Sequence, residues 1–175
     1  MNTSSLLRDA IRDIADFPKP GILFRDITPV LADPALFRAA IAEFATICRE
    51  AKAEKIAGID ARGFLFGATV AYELGLGFVP VRKKGKLPFH TITQSYDLEY
   101  GSSEVEIHTD AFAGGDQVAL IDDLLATGGT AGAAIKLINQ SGARVVTAAF
   151  LIELGDLGGR KVLGDVPVCS IVTFA

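Results

Sequence analysis

Apolar residues recur along the chain at two spacings, and the alternation between them lays out the elements. Leu7, Ile11 and Ile14 share one face of an opening helix that starts near Thr3 to Ser5. Phe17-Pro18-Lys19-Pro20-Gly21 stops it, because two prolines and a glycine forbid regular helix. Asp33-Pro34 is an N-cap followed by a first-turn proline, and Phe37, Ile41, Phe44 and Cys48 then keep helical spacing. Short apolar runs take over after that. Strands are predicted over 55–60, 78–82, 118–122, 144–152 and 167–173, with helices over 63–74 and 129–141 and a short one near 156–161. Short apolar strands separated by helices indicate a parallel sheet covered on both faces. The expected fold is α/β, doubly wound and mostly parallel, with helices on both faces.

The stretch 83–108 breaks that rhythm. It contains Gly85, Pro88 and Gly101, and two alternating runs, 95–100 and 104–108, flank the turn at Gly101. That pattern predicts a β-hairpin projecting from the body as a lid, since long excursions in small domains are often functional. Tyr96, Leu98 and Tyr100 fall on one face of it, and Ser95, Asp97 and Glu99 on the other. No repeat, low-complexity tract or linker interrupts the chain. Residues 1–175 are therefore expected to form one domain, with an N-terminal hood region over 1–35 and a flexible loop and hairpin over 83–108.

Composition narrows the setting. Half of the 175 residues are apolar and 22% are charged, which excludes a disordered chain. No apolar run approaches the roughly 18 residues needed to cross a bilayer. The start, Met1 to Ser5, lacks the basic head and apolar stretch of a signal peptide. A soluble cytoplasmic protein is expected, with no membrane partner. The net charge of −4, without an extended Lys/Arg run, gives no footprint for nucleic acid. Cys48 and Cys169 are far apart and form no Cys-x-x-Cys pattern, so they are expected to be buried free thiols. His90 and His108 are too isolated to suggest a metal site.

One predicted strand leads directly into chemistry. Val118-Ala119-Leu120-Ile121-Asp122-Asp123 continues as Leu124-Leu125-Ala126-Thr127-Gly128-Gly129-Thr130, which opens a helix. In open α/β sheets, ligands bind beyond the carboxyl ends of the strands. Glycines let the backbone approach a ligand closely, and the amides of a helix start attract a dianionic phosphate. Thr127 and Thr130 can add hydroxyl donors. No lysine follows the glycines and the Gly-x-Gly-x-x-Gly spacing is absent, which sets aside the two common nucleotide loops. Two adjacent carboxylates suit the vicinal hydroxyls of a ribose whose 5-phosphate the loop holds. A bare Asp-Asp pair would read as a turn cap. The whole segment instead points to ribose 5-phosphate, with Asp122, Asp123, Ala126, Thr127, Gly128, Gly129 and Thr130 as its contacts.

This segment closely resembles the phosphoribosyl-pyrophosphate signature of type I phosphoribosyltransferases. Its Leu-Leu-Ala-Thr-Gly-Gly-Thr ending is similar to the adenine phosphoribosyltransferases in particular. Four further motifs, in the family's order, extend the resemblance over nearly the whole chain. They are Phe17-Pro18 through Ile27, Arg62-Gly63-Phe64-Leu65-Phe66-Gly67, Arg82-Lys83-Lys84-Gly85-Lys86-Leu87-Pro88 and Tyr96-Asp97-Leu98-Glu99-Tyr100-Gly101.

The resemblance implies transfer of the 5-phosphoribosyl group from phosphoribosyl pyrophosphate to adenine, giving AMP and pyrophosphate in purine salvage. It implies a homodimer, and magnesium (Mg2+) bound with the phosphoribosyl pyrophosphate, mainly through substrate phosphates rather than a protein carboxylate cage. Asp60, Ala61 and Arg62 would form the pyrophosphate loop, with a cis peptide near Asp60-Ala61. The family frequently has Glu or Ser at the first two of these places, so Asp60 and Ala61 depart from its pattern. Arg82, Lys83 and Lys86 would add positive charge toward pyrophosphate, partly across a dimer interface. Leu23, Phe24 and Arg25 would form the base pocket, with the ring stacked on Phe24 and backbone near Leu23 reading the purine edge. Arg25 would brace that pocket. Glu99 would assist proton movement near N7 as N9 attacks, Tyr100 would cover the pyrophosphate side, and Arg62 would act with them in catalysis.

Two other readings keep the fold. A regulator sensing phosphoribosyl pyrophosphate would bind nucleic acid through an added domain or a broad basic face, and the sequence has neither. A transferase for another base, such as a 6-oxopurine or orotate, would keep the chemistry and change the pocket. The segment Ile22-Leu23-Phe24-Arg25 and the Glu99 hairpin favour adenine.

Overall fold

The computed structural model describes residues 2–97 and 102–175. The opening helix, α1 (Thr3–Ala10), is capped by the Asn2 side chain, which accepts from the Ser5 amide at 2.8 Å. It ends four residues before Ile14, which lies in a strand. A two-stranded antiparallel sheet takes over, β1 (Arg12–Ala15) pairing with β2 (Leu23–Asp26). Opposite charges face each other across this pair: Arg12 meets Asp26, and Arg25 donates to Asp13. Those cross-strand pairs outweigh the helical spacing of Leu7, Ile11 and Ile14. The turn between the strands is closed at Gly21, at φ 86°, whose amide donates to Asp16.

A short helix α2 (Thr28–Ala32) leads to α3 (Pro34–Glu50), whose N-cap Asp33 accepts from the amides of Ala35 and Leu36. The α/β body follows as β3 (Lys55–Ile59), α4 (Arg62–Leu74), β4 (Gly77–Lys83), β5 (Thr91–Asp97), β6 (Ser102–His108), β7 (Gln117–Leu125), α5 (Gly129–Gln140), β8 (Arg144–Leu154) and β9 (Val168–Phe174). Two 3-10 turns, Gly155–Leu157 and Gly159–Leu163, replace the short helix expected near 156–161. The main sheet has the order β5-β6-β4-β3-β7-β8-β9. Strands β4, β3, β7, β8 and β9 are parallel, while β6 and β5 add an antiparallel edge.

Alternation along the central strands divides the core into two layers. Ala57, Val118, Leu120, Ala148 and Phe150 face α5, with its Ala134, Leu137 and Ile138. Ile56, Ala119, Ile121, Ala149 and Leu151 face the other way, toward α1, α3 and α4 through Leu7, Phe44, Phe66 and Val70. Helices thus cover both faces, as expected. Cys48 is one of the buried residues of this second layer, and burial pushes its thiol up to about 12, with Cys169 adding to the effect. Cys169 itself is only half-buried.

Two elements reach further than predicted. Strand β7 continues through Asp122 and Asp123 to Leu125, so the carboxylates belong to the strand rather than its end. Leu124 and Leu125 still pair with Ile152 and Glu153 of β8, which holds the strand extended. The hairpin strands rest on the sheet edge, with Val105 and Ile107 of β6 fully packed into the core. Among the described residues, no helix is long and apolar enough to cross a membrane.

Candidate active site

Strands β3 and β7 lie side by side, Gly58 opposite Ile121, and both deliver loops at their carboxyl ends. Close approach is built into this junction. A Cβ on Gly58 would sit 2.7 Å from the Phe78 ring, and one on Gly63 would sit 2.8 Å from both the Ile121 carbonyl and Asp122 Oδ1. The first turn of α4 therefore lies directly against β7. This contact sets the 60–62 loop beside the 122–130 segment.

A cavity of about 470 Å³ opens where these loops meet. It is lined by Asp60, Ala61, Arg62, Lys83, Asp122, Asp123 and the run Ala126 to Thr130, with Tyr96 and Val105 from the hairpin. Gly128, at φ 83°, precedes α5 and its carbonyl accepts from the Gly132 amide at 2.8 Å. Gly129, Thr130 and Ala131, whose amides open α5 at the positive end of its dipole, line the cavity. All seven residues expected around a ribose 5-phosphate are brought together here.

Charge within the cavity is organised in pairs. Arg62 Nε donates to Asp123 Oδ2, and Asp123 is buried. Removal from water, and then the neighbouring Asp123 charge, push the Asp122 carboxyl well above the ordinary carboxylate range. Its Oδ1 accepts from the Asp123 amide at 2.9 Å. The Asp60–Ala61 peptide is cis.

The basic loop is only partly at the cavity. Lys83 lines it, whereas Arg82 stands behind, with Nε on Asp60 Oδ2 at 2.9 Å and a second nitrogen on the Lys86 carbonyl at 2.9 Å. Lys86 lies outside the lining. Sequence reasoning missed the residue that shapes this loop, the buried Glu106. Its Oε1 accepts from the Lys86 and Leu87 amides at 2.8 and 2.9 Å. Burial alone would raise this carboxyl; hydrogen bonds from the Leu87, Gly85 and Lys86 amides and from Thr91 outweigh it and hold the group below its ordinary range. The sequence carries no signal for it, because Glu106 falls on the polar side of the alternating run Glu104 to His108.

A second cavity, about 530 Å³, lies on the other side of Arg62 and is largely apolar. Ile14, Phe17, Phe24, Ile27, Leu31 and Leu65 line it, with Arg25, Asp26, Thr28 and Arg62 at its polar margin. Phe17 and Phe24 meet edge to face at 5.1 Å, the geometry that aromatic quadrupoles favour. Leu23 is not in the lining and is 46% exposed. Arg25 braces the wall: it donates to Asp13, and its guanidinium lies 3.9 Å from the centre of the Phe174 ring. Ile14, Phe17, Leu31 and Leu65 were not assigned to a base pocket from the sequence, because only the folded hood brings them together. Glu99 and Tyr100 lie outside the described residues. Among the described residues, no cluster of three or more His, Cys, Asp or Glu is placed to hold a metal.

Comparison with known proteins gives a consistent result. The family profile described as the phosphoribosyl transferase domain matches residues 28–172. An adenine phosphoribosyltransferase from Parvibaculum lavamentivorans is 57% identical over 170 residues, covering 96% of this chain and 97% of that one. The crystal structure of adenine phosphoribosyltransferase from Thermoanaerobacter pseudethanolicus superimposes with a TM-score of 0.95 at 49% identity, covering 98% of this chain and 99% of that one. The Saccharomyces cerevisiae enzyme, complexed with an imino-altritol bisphosphate and adenine, gives a TM-score of 0.93 at 42% identity, covering 97% and 98% of the two chains.

Proposed function

The chain belongs to the adenine phosphoribosyltransferase family, and from that membership we propose how its two cavities share one reaction. The protein transfers the 5-phosphoribosyl group from phosphoribosyl pyrophosphate to adenine, releasing AMP and pyrophosphate in purine salvage. One observation carries the division of labour: Arg62 lines the polar cavity and the apolar cavity at once. The bond that changes hands must lie at such a junction.

In this reading the Ala126 to Thr130 run holds the 5-phosphate, and Asp122 and Asp123 face the ribose hydroxyls. Asp60, Ala61, Arg62 and Lys83 face the pyrophosphate, with Arg82 and Lys86 acting from the loop behind. Adenine enters the hood cavity as its N7–H tautomer and stacks on Phe24, with the backbone near Leu23 reading its edge and Arg25 bracing the wall. The N9 lone pair forms the new bond to C1 of the ribose while the C1–O bond to pyrophosphate breaks. Pyrophosphate leaves with that electron pair, and the N7 proton passes to Glu99. Tyr100 covers the pyrophosphate side. The rate advantage comes from positioning and from cations aimed at the departing charge.

The donor set fits magnesium carried on the substrate. The cavity's carboxylates Asp60 and Asp123 already pair with Arg82 and Arg62, which leaves Asp122 as the nearest remaining carboxyl rather than a cage. Such an ion keeps its waters and the phosphate oxygens as ligands. When bound, it supplies neutralisation of pyrophosphate charge.

A homodimer and a cytoplasmic location complete the proposal. Exposed Leu65 and Ala68 and half-buried Phe64 on α4, continued by half-buried Leu31 and Phe37, offer an apolar face for a second copy. Light scattering should return twice the mass of one chain, and a monomer would refute the dimer.

The deciding assay supplies phosphoribosyl pyrophosphate, magnesium and each free base in turn. AMP from adenine is expected. IMP or OMP from another base, without AMP, would overturn the base assignment. Glu99→Gln should slow turnover more than it raises either KM, and parent kinetics would remove Glu99 from the mechanism.

A further inference from the structure

The phosphate loop has a back wall that none of the roles above uses. Gly159, which opens the second 3-10 turn, is packed against it backbone to backbone. A Cβ built on Gly159 would stand 2.2 Å from the Ala126 carbonyl oxygen and 3.0 Å from the Gly128 amide nitrogen. In return, a Cβ on Gly128 would stand 2.5 Å from the Gly159 carbonyl oxygen. Both partners are main chain, so neither can swing aside as a flexible side chain would. The same segment also touches the start of α5, where a Cβ on Gly132 would meet Val162 at 3.2 Å.

What holds this wall in place is the next residue. Arg160 grips Glu153 of β8 with two nitrogens, at 3.1 and 2.6 Å, and donates a third hydrogen bond to the Val168 carbonyl at 2.6 Å. Glu153 is buried, so the guanidinium fork fixes the turn to the last two strands of the sheet.

We infer that Gly159 and Arg160 are positioning residues for the 5-phosphate, Gly159 setting the path of residues 126–128 by contact and Arg160 anchoring Gly159 to the sheet. This rests on reading Ala126 to Thr130 as the phosphate cradle. A methyl at Gly159 must displace the Ala126 carbonyl, and the amides that follow it lose their aim at the phosphate. A methyl at Gly158 meets nothing within 4 Å. Gly158 sits at φ 64°, so a methyl there adds left-handed backbone strain of about 1–2 kcal/mol without touching the loop, and the two neighbouring glycines separate strain in the turn from pressure on the cradle.

The test compares Gly159→Ala, Gly158→Ala, Arg160→Lys and Thr130→Val in the full chain. For each, KM is measured for phosphoribosyl pyrophosphate and for adenine, and ribose 5-phosphate binding is measured by calorimetry. Gly159→Ala should raise the KM for phosphoribosyl pyrophosphate and the Kd of ribose 5-phosphate by about tenfold or more, as a displacement near 1 Å does at a positioned site. Its KM for adenine should stay at the parent value, as should all three constants of Gly158→Ala. Arg160→Lys keeps the charge and loses the fork, so a smaller rise of about threefold in the same two constants is expected. It decides the matter if Gly159→Ala does not fold. Parent constants in Gly159→Ala or Arg160→Lys, an equal loss in Gly158→Ala, or a matching rise in the KM for adenine would overturn the inference. Thr130→Val separates the two layers: parent binding of ribose 5-phosphate there would overturn the cradle itself, whereas weakened binding there with an unaffected Gly159→Ala would overturn only the buttress.

Discussion

The two cavities that meet at Arg62 are built on opposite plans. The polar one is made of main-chain turns at the ends of β3 and β7, the buried centre of the sheet, and its shape depends on glycines that allow backbone to touch backbone. The apolar one is made of side chains from the β1–β2 pair, α2 and α4, and it is tied to the other end of the chain. Phe174 lies under both Arg8, at 4.6 Å, and Arg25, at 3.9 Å, and Arg8 also donates to the Thr173 carbonyl. An anion needs fixed dipoles, and these come cheaply from a strand end and a helix start. A flat base needs a surface of the right shape, which distant segments must assemble. The first plan is local in sequence and the second is not.

The largest effect should come from removing the residue the two plans share. Arg62→Ala takes a cation from both cavities and leaves buried Asp123 unpaired. We expect kcat/KM to fall about 10²- to 10³-fold with either substrate varied, the scale for loss of one aimed donor. A defect confined to phosphoribosyl pyrophosphate would break the comparison, because Arg62 would then belong to one cavity. Next is Glu106→Ala, which removes the acceptor from the Lys86 and Leu87 amides. Urea unfolding should show a loss of about 1–3 kcal/mol, the cost of stranding buried donors. The carboxyl of Glu106 is held below its ordinary range, so its contribution is full above the unfolded value and disappears as pH falls through the folded one. The variant should lack that acid-side decline, and it should raise KM for phosphoribosyl pyrophosphate alone.

Legibility followed the same division. Residues 118–130 announced the loop that lines the polar cavity, since the strand, the two carboxylates, the glycines and the helix start are consecutive. The short apolar runs at 55–60 and 118–122, separated by predicted helices, likewise revealed a sheet covered on both faces. The hood was misjudged at Ile14, because a helical spacing of three residues carries no information about Arg12 meeting Asp26 across a strand pair. Glu106 was missed for a related reason: the amides it holds are 19 and 20 residues away. The end of β7 was set three residues too early, at the first charge, although pairing with β8 carries the strand past both carboxylates.

A smaller effect should test the apolar side. Phe24→Ala removes one ring of the Phe17–Phe24 pair and the surface on which a base would stack. About a tenfold rise in KM for adenine is expected, on the scale of one aromatic contact. The KM for phosphoribosyl pyrophosphate should not move. If both constants rise together, the hood and the cradle are one mechanical unit, and the contrast between local and assembled construction fails.

The least change in rate-independent terms, and the most informative in sign, concerns Asp122. Its carboxyl is raised by burial and by Asp123, so the folded state retains a proton that the unfolded chain releases. Unfolding therefore releases a proton in the window above the ordinary carboxylate value, and stability falls as pH rises toward the folded value. Asp122→Asn removes the charge and keeps an oxygen for the Asp123 amide. The variant should be more stable than the parent at neutral pH, and the difference should shrink as pH is lowered toward the ordinary carboxylate range; thermal midpoints followed against pH measure this directly. Turnover should fall under the proposed role of Asp122, because an amide would not match ribose hydroxyls as a carboxyl does. Greater stability with less activity would mean that the cradle keeps an ionisable group whose charged form the fold disfavours. A variant less stable at every pH would mean instead that Arg62 stabilises both carboxylates, and that the floor of the cradle is an ordinary ion-pair network.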